Sequence, residues 1–102
     1  MELIPQELKE RLPGLYAQEK SADPMVACKL VAPWLGKTWL VLEGFLQDGI
    51  YFVYARVFGE DDQHYFALST IEDLRGPGGE VVELEKAFTP RPLSQALAEL
   101  RN

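Results

Sequence analysis

Two runs of strand-forming residues, Thr38–Leu46 (TWLVLEGFL) and Ile50–Phe58 (IYFVYARVF), are separated only by Gln47-Asp48-Gly49. This spacing constrains the fold more than any other feature of the chain. A parallel neighbour needs a crossover of about a dozen residues or more, so a three-residue link forces an antiparallel hairpin. Asp-Gly strengthens the inference, because glycine accepts a positive φ without steric cost. A second short link, Gly59-Glu60-Asp61-Asp62-Gln63, leads into His64–Leu68 (HYFAL). Upstream, Met25–Ala32 (MVACKLVA) is a short apolar run that stops at Pro33. The expectation is an antiparallel meander built from residues 26–32, 38–46, 50–58 and 64–68 in sequential order. Val81–Leu84 is a candidate fifth strand.

Three short helices surround this sheet. Pro5 stands at the head of Pro5–Leu12, where its missing N–H has no intrahelical partner anyway. Leu8 and Leu12 share one face of that segment, and Pro13-Gly14 stops it. Ser69-Thr-Ile-Glu72 matches a capping box, which predicts a helix over 70–75 closed by Gly76-Pro77. Leu93, Ala96, Leu97 and Leu100 fall on one helical face opposite Gln95 and Glu99, with Pro92 near the start. The fold class is therefore α+β: a four- to five-stranded antiparallel meander with short N-terminal, middle and C-terminal helices. At 102 residues it forms a single domain, 1–102.

Alternation along 50–58 raises a packing question. Tyr51, Val53, Ala55 and Val57 face one way; Phe52, Tyr54, Arg56 and Phe58 face the other. Both sets are largely apolar, whereas a solvated sheet face shows polar alternation. Helices on opposite sides would cover both faces. Helices on one side would leave the other to a second copy of the chain or to another protein.

Charge and cysteine content exclude several function classes. Sixteen acids against 10 bases give a net charge of −6, with the bases scattered, so direct nucleic-acid binding is disfavoured. Cys28 is the only cysteine and His64 the only histidine, which rules out an intrachain disulfide and a cysteine-based zinc site. The segment MELIPQELKERL is charged within its first turns and has no signal-like apolar stretch. No run approaches the roughly 20 apolar residues of a membrane span. The expected location is cytoplasmic, without membrane contact.

Each candidate chemical group has a plainer structural reading. Asp61, Asp62 and His64 lie too close in sequence to converge from a strand, so no metal site is expected. Cys28 lies in an apolar run, where a free thiol is buried and inert, which weakens any Cys28–His64 pairing. Arg75-Gly-Pro-Gly-Gly79 follows a helix, whereas phosphate loops precede one, so it reads as a cap and turn. No catalytic residues, metal or cofactor are assigned. The aromatic residues Trp34, Phe52, Tyr54 and Phe58 remain as candidate partner contacts, Trp34 because it sits in a Pro/Gly turn.

Three stretches taken together carry a resemblance. They are Leu3-Ile-Pro-Gln-Glu-Leu-Lys-Glu-Arg-Leu-Pro-Gly-Leu-Tyr16, the segment Lys29…Pro33…Thr38-Trp39, and Tyr65-Phe-Ala-Leu-Ser-Thr-Ile-Glu-Asp-Leu-Arg-Gly-Pro77 continuing to Phe88-Thr-Pro-Arg-Pro-Leu93. The chain resembles the bacterial domain-of-unknown-function family 2958 over nearly its whole length. The resemblance implies a small bacterial protein often carried on phages, plasmids or conjugative elements, and it implies no activity. In the family pattern a glycine commonly precedes the Tyr-Phe pair, where this chain has His64, which weakens a catalytic role for that residue.

Three functional classes follow. The first is a non-catalytic protein-interaction module or accessory protein of a mobile element, acting on an unknown protein partner or as a homodimer. The second is an acidic DNA mimic that inhibits a nucleic-acid enzyme. The third is an enzyme using carboxylates such as Glu43, Asp61 and Asp62. The missing active-site set weighs against the third, and acids interleaved with bases weigh against the second.

Overall fold

The computed structural model describes residues 2–101. Strands β2 (Cys28–Ala32), β3 (Lys37–Gln47), β4 (Ile50–Val57) and β5 (Gln63–Ala67) form the expected antiparallel meander. A short strand, β6 (Glu83–Leu84), joins the free edge of β2 and completes the order β5-β4-β3-β2-β6. Asp48 (φ +53) and Gly49 (φ +79) close the central hairpin, with Gln47 opposite Ile50. Two successive positive φ values give the turn whose twist matches the flanking strands. Three helices complete this α+β fold: α1 (Gln6–Lys9), α2 (Leu68–Glu72) and α3 (Leu93–Arg101).

The run 26–32, expected as one strand, breaks at Ala27. Residues Met25–Val26 (β1) pair instead with Arg91–Pro92 (β7) in a separate two-stranded sheet. Val26 packs with α3, whereas Cys28 packs on the opposite face of the main sheet. Two positions of equal parity thus face opposite ways, which a continuous strand cannot do. The Ala27 N–H donates to the Val41 carbonyl at 2.8 Å. Beside it β3 carries a bulge: Val41 opposes Ala55, but Glu43, not Leu42, opposes Tyr54.

The alternation of β4 holds, and both faces are covered within the chain. Val53, Ala55 and Val57 enter a core with Ile4, Leu68 and Ile71 from the α1 and α2 side. Tyr54 and Phe58 pack on the opposite cluster, where Leu93, Ala96 and Leu97 of α3 meet Leu40 and Leu42. The helices therefore lie on opposite sides of the sheet, which removes the premise of a wholly bare face. Exposed apolar side chains of the main sheet remain at Leu46 and Ile50 beside the β3–β4 turn and at Tyr65 on β5.

Two local expectations are corrected. The middle helix starts at Leu68, not Thr70, so Ser69 lies inside its first turn and makes no cap. Glu72, expected to reach back to Ser69, accepts the Leu3 N–H at 3.0 Å and ties down the N-terminal segment. The helix ends on Asp73 in right-handed conformation, and the left-handed glycine of the next loop is Gly79 (φ +85), not Gly76. Arg75 and Val81 form a bridge, so Gly76–Glu80 is the turn of a tight hairpin and not a helix cap. Among the described residues no helix is long and apolar enough to cross a membrane.

Candidate functional site

The site grows from the β3 bulge. Strict alternation from Leu40 and Leu42 would put Glu43 beside Val41 in the α1/α2 core. The extra residue lets Leu42 and Glu43 both turn to the α3 face, where Glu43 opposes Tyr54. The same shift sends Phe45 to that face and Gly44 to the other. Gly44 then lies against Leu12 and the Tyr51 ring, where a Cβ would meet Leu12 Cδ1 at 2.8 Å and Tyr51 Cζ at 2.9 Å.

Glu43 is only 2% exposed, the one buried charged residue of the chain among those described. Its two oxygens are divided between two backbone donors. Oε1 accepts the Tyr16 N–H at 3.0 Å and Oε2 accepts the Gln18 N–H at 2.9 Å. Gln18 adds a second tether: its Nε2 donates to the Leu42 and Met25 carbonyls, both at 3.0 Å, and its Oε1 accepts the Met25 N–H at 2.7 Å. Together these bonds strap the loop Gly14–Ser21 across the sheet. The strap holds Tyr16 in left-handed conformation (φ +65), a costly geometry for a non-glycine residue.

Between strap and sheet lies a cleft of about 240 Å³, with Glu43 at its floor and Tyr16, Glu19, Tyr54 and Tyr65 among its walls. Tyr65 lies beside Tyr54 with ring centroids 4.6 Å apart, and meets Phe45 edge-on at 5.9 Å. Phe45 in turn stacks on Phe52 at 5.5 Å. The result is a continuous aromatic ladder from the cleft to the hairpin end, where Ile50 is 46% exposed. Tyr16 (61% exposed) and Tyr65 (47% exposed) border both the cleft and the shallow groove over Phe45 and Phe52. Desolvation, the neighbouring Tyr16 and the Glu43 carboxylate all push the Tyr65 hydroxyl above the usual phenol range.

The expected contact residues fall in different places. Phe52 is half-buried within the ladder. Tyr54 is shared between the ladder and the α3 cluster, and Phe58 is half-buried against that cluster. Trp34 lies in a 3₁₀ turn (Pro33–Leu35) and packs on the opposite core, well away from the ladder. Tyr16, Phe45 and Tyr65 went unnoticed as contacts. The one clue was Glu43, the only charge in the run Thr38–Leu46.

The other groups do not converge. Asp61 and Asp62 are exposed in a turn and His64 is exposed on the edge strand β5. No group of three metal-ligating side chains occurs among the described residues. Cys28, Val41, Ala55 and His64 form one row across the sheet, which places Cys28 and His64 three strand spacings apart, about 14 Å. Burial pushes the Cys28 thiol up to about 12, so it is protonated and a poor nucleophile at neutral pH.

No curated protein and no solved structure matches the chain. One family model does, that of a protein of unknown function, DUF2958, over residues 3–101. With the match running from the α1 segment through α3, the chain belongs to the DUF2958 family.

Proposed function

We propose that this protein is a non-catalytic protein-binding module whose contact surface is the aromatic end of its sheet. The carrying observation is the Tyr54–Tyr65–Phe45–Phe52 ladder, which packs toward α3 only at Tyr54 and is flanked by exposed Tyr16 and Ile50. Aromatic side chains give large contact area at low conformational cost and dominate interface energetics. The two oxygens of Glu43 each hold a backbone N–H, the geometry of a structural anchor, which favours binding over carboxylate catalysis. The family resemblance supplies the setting, an accessory factor of a bacterial mobile element.

The test is site-specific photo-crosslinking in the native host. A crosslinker at Ile50 should capture a discrete protein, and one at Thr70, exposed on α2 on the other side of the sheet, should not. Phe52→Ser should weaken capture from position 50. Equal capture from both positions would refute this surface. Light scattering of the purified chain separates a foreign partner, expected to leave it monomeric, from a second copy.

A further inference from the structure

We propose that the cleft beneath the Gly14–Ser21 strap recognises an arginine side chain presented by the protein partner. This rests on the protein-binding reading and names the chemistry of the partner. At about 240 Å³ the cleft falls below the roughly 300–1,000 Å³ of pockets that enclose drug-sized ligands, so it suits one side chain and not a nucleotide or cofactor.

The walls select the type of side chain. Tyr16, Tyr54 and Tyr65 offer aromatic surface, and two carboxylates, Glu19 and Glu43, share the cleft with no Lys or Arg among its lining residues. The nearby base Arg56 is committed elsewhere: its Nε donates to Gln63 Oε1 at 2.9 Å and its Nη1 to the Glu60 carbonyl at 3.1 Å. Aromatic faces attract cations through the ring quadrupole, more strongly once water is excluded. A planar, weakly hydrated guanidinium satisfies both features, stacking on tyrosine while keeping its charge near carboxylates. An ammonium would give up more hydration to enter. An anion would meet Glu43, whose charge only two backbone N–H groups offset.

The cleft also continues into the apolar groove over Phe45 and Phe52, because Tyr16 and Tyr65 line both. An arginine in the cleft would therefore place an adjoining apolar residue on the ladder. Net charge −6 favours approach of such a basic segment.

The experiment is an amide NMR titration of the ¹⁵N-labelled full chain. The probes are Nα-acetyl-arginine-N-methylamide, its citrulline counterpart as a neutral isostere, free arginine, and a capped Arg-Leu dipeptide. Capped arginine should shift the Tyr16, Gln18 and Tyr65 amides saturably, and citrulline should bind about tenfold more weakly or worse. The Arg-Leu dipeptide should bind more tightly and add shifts at Phe45 and Phe52. Tyr65→Ala and Glu19→Gln, both at exposed positions, should each weaken arginine binding while leaving the remaining spectrum folded. Equal binding of citrulline, shifts mapping outside the cleft, or no saturation would overturn the proposal. Tighter binding of free arginine than of the capped form would make the ligand a metabolite and overturn the peptide assignment. Crosslinking from Ile50 without arginine shifts would remove the cleft assignment alone. Arginine shifts without crosslinking would remove the protein partner.

Discussion

Replacing Glu43 with glutamine tests whether the site is built on a buried carboxylate. In the native protein each oxygen holds one loop N–H, at 3.0 Å for Tyr16 and 2.9 Å for Gln18. Glutamine keeps one acceptor oxygen and turns an NH₂ toward the other donor. One charge-assisted bond is lost outright and the second becomes a neutral one, where bonds to charged groups contribute about 1.5–3 kcal/mol each. Opposing this is the relief of no longer burying a charge. Because each carboxylate oxygen holds a backbone N–H, the loss should win by about 1–3 kcal/mol. For a domain of this size that corresponds to a drop in Tm on the order of 5–20 °C. Thermal unfolding followed by circular dichroism measures the drop. Hydrogen exchange locates it: the Tyr16 and Gln18 amides should lose protection first, with β4 amides following only the global change. A Glu43→Gln protein as stable as the parent, with both amides still protected, would refute the strap. A more stable variant would show that desolvation of the carboxylate outweighs its two bonds.

Gly44→Ala should destabilise by about 1–3 kcal/mol through overpacking against Leu12 and Tyr51. The buried Tyr51 hydroxyl has no hydrogen-bond partner and a Cβ at position 44 would press on it, so Tyr51→Phe should be neutral or stabilising alone and should partly rescue Gly44→Ala in chemical denaturation. Asp23 accepts the Ser94 hydroxyl at 2.5 Å and the Ser94 N–H at 2.9 Å, capping α3 from across the chain, and these bonds hold its pKa below the usual aspartate range. A depressed folded-state pKa gives stability that is present above the unfolded value and lost as pH falls through the folded one. Tm should therefore fall below about pH 4, and Asp23→Asn should lose part of that dependence in a pH series of melting curves. Cys28, with its thiol pushed up to about 12 by burial, should react with a thiol reagent at pH 8 only as fast as the protein opens. Rapid labelling of the native protein would contradict its burial.

The central architecture was legible from the chain because its determinants are local. Three links too short for a crossover compel antiparallel pairing, and Asp48-Gly49 supplies the two positive φ values its turn requires. Alternation along Ile50–Val57 assigned each side chain to its face, since β4 carries no irregularity of its own. The α3 stripe was equally readable, with Leu93, Ala96 and Leu97 buried as a helical period demands.

What tertiary structure decided lies where partners are distant in sequence. Ser69 and Glu72 satisfy the capping-box pattern, yet Glu72 bonds the Leu3 N–H, 69 residues away, and the helix starts two residues earlier than the pattern requires. The N-terminus of α3 is capped by Asp23, 71 residues upstream, which no local window reveals. The site depends most on such long-range effects. A single extra residue at Leu42 turns Glu43 and Phe45 to the α3 face, and without that bulge parity places both in the opposite core. Only after the Gly14–Ser21 loop folds over the sheet does Glu43 gain its two N–H donors and Tyr16 its place beside Tyr65. Strand parity and turn chemistry are properties of neighbouring residues, so the sequence carries them openly. A bulge and a strap are selected by the free energy of the whole packed chain, so they became visible only in three dimensions.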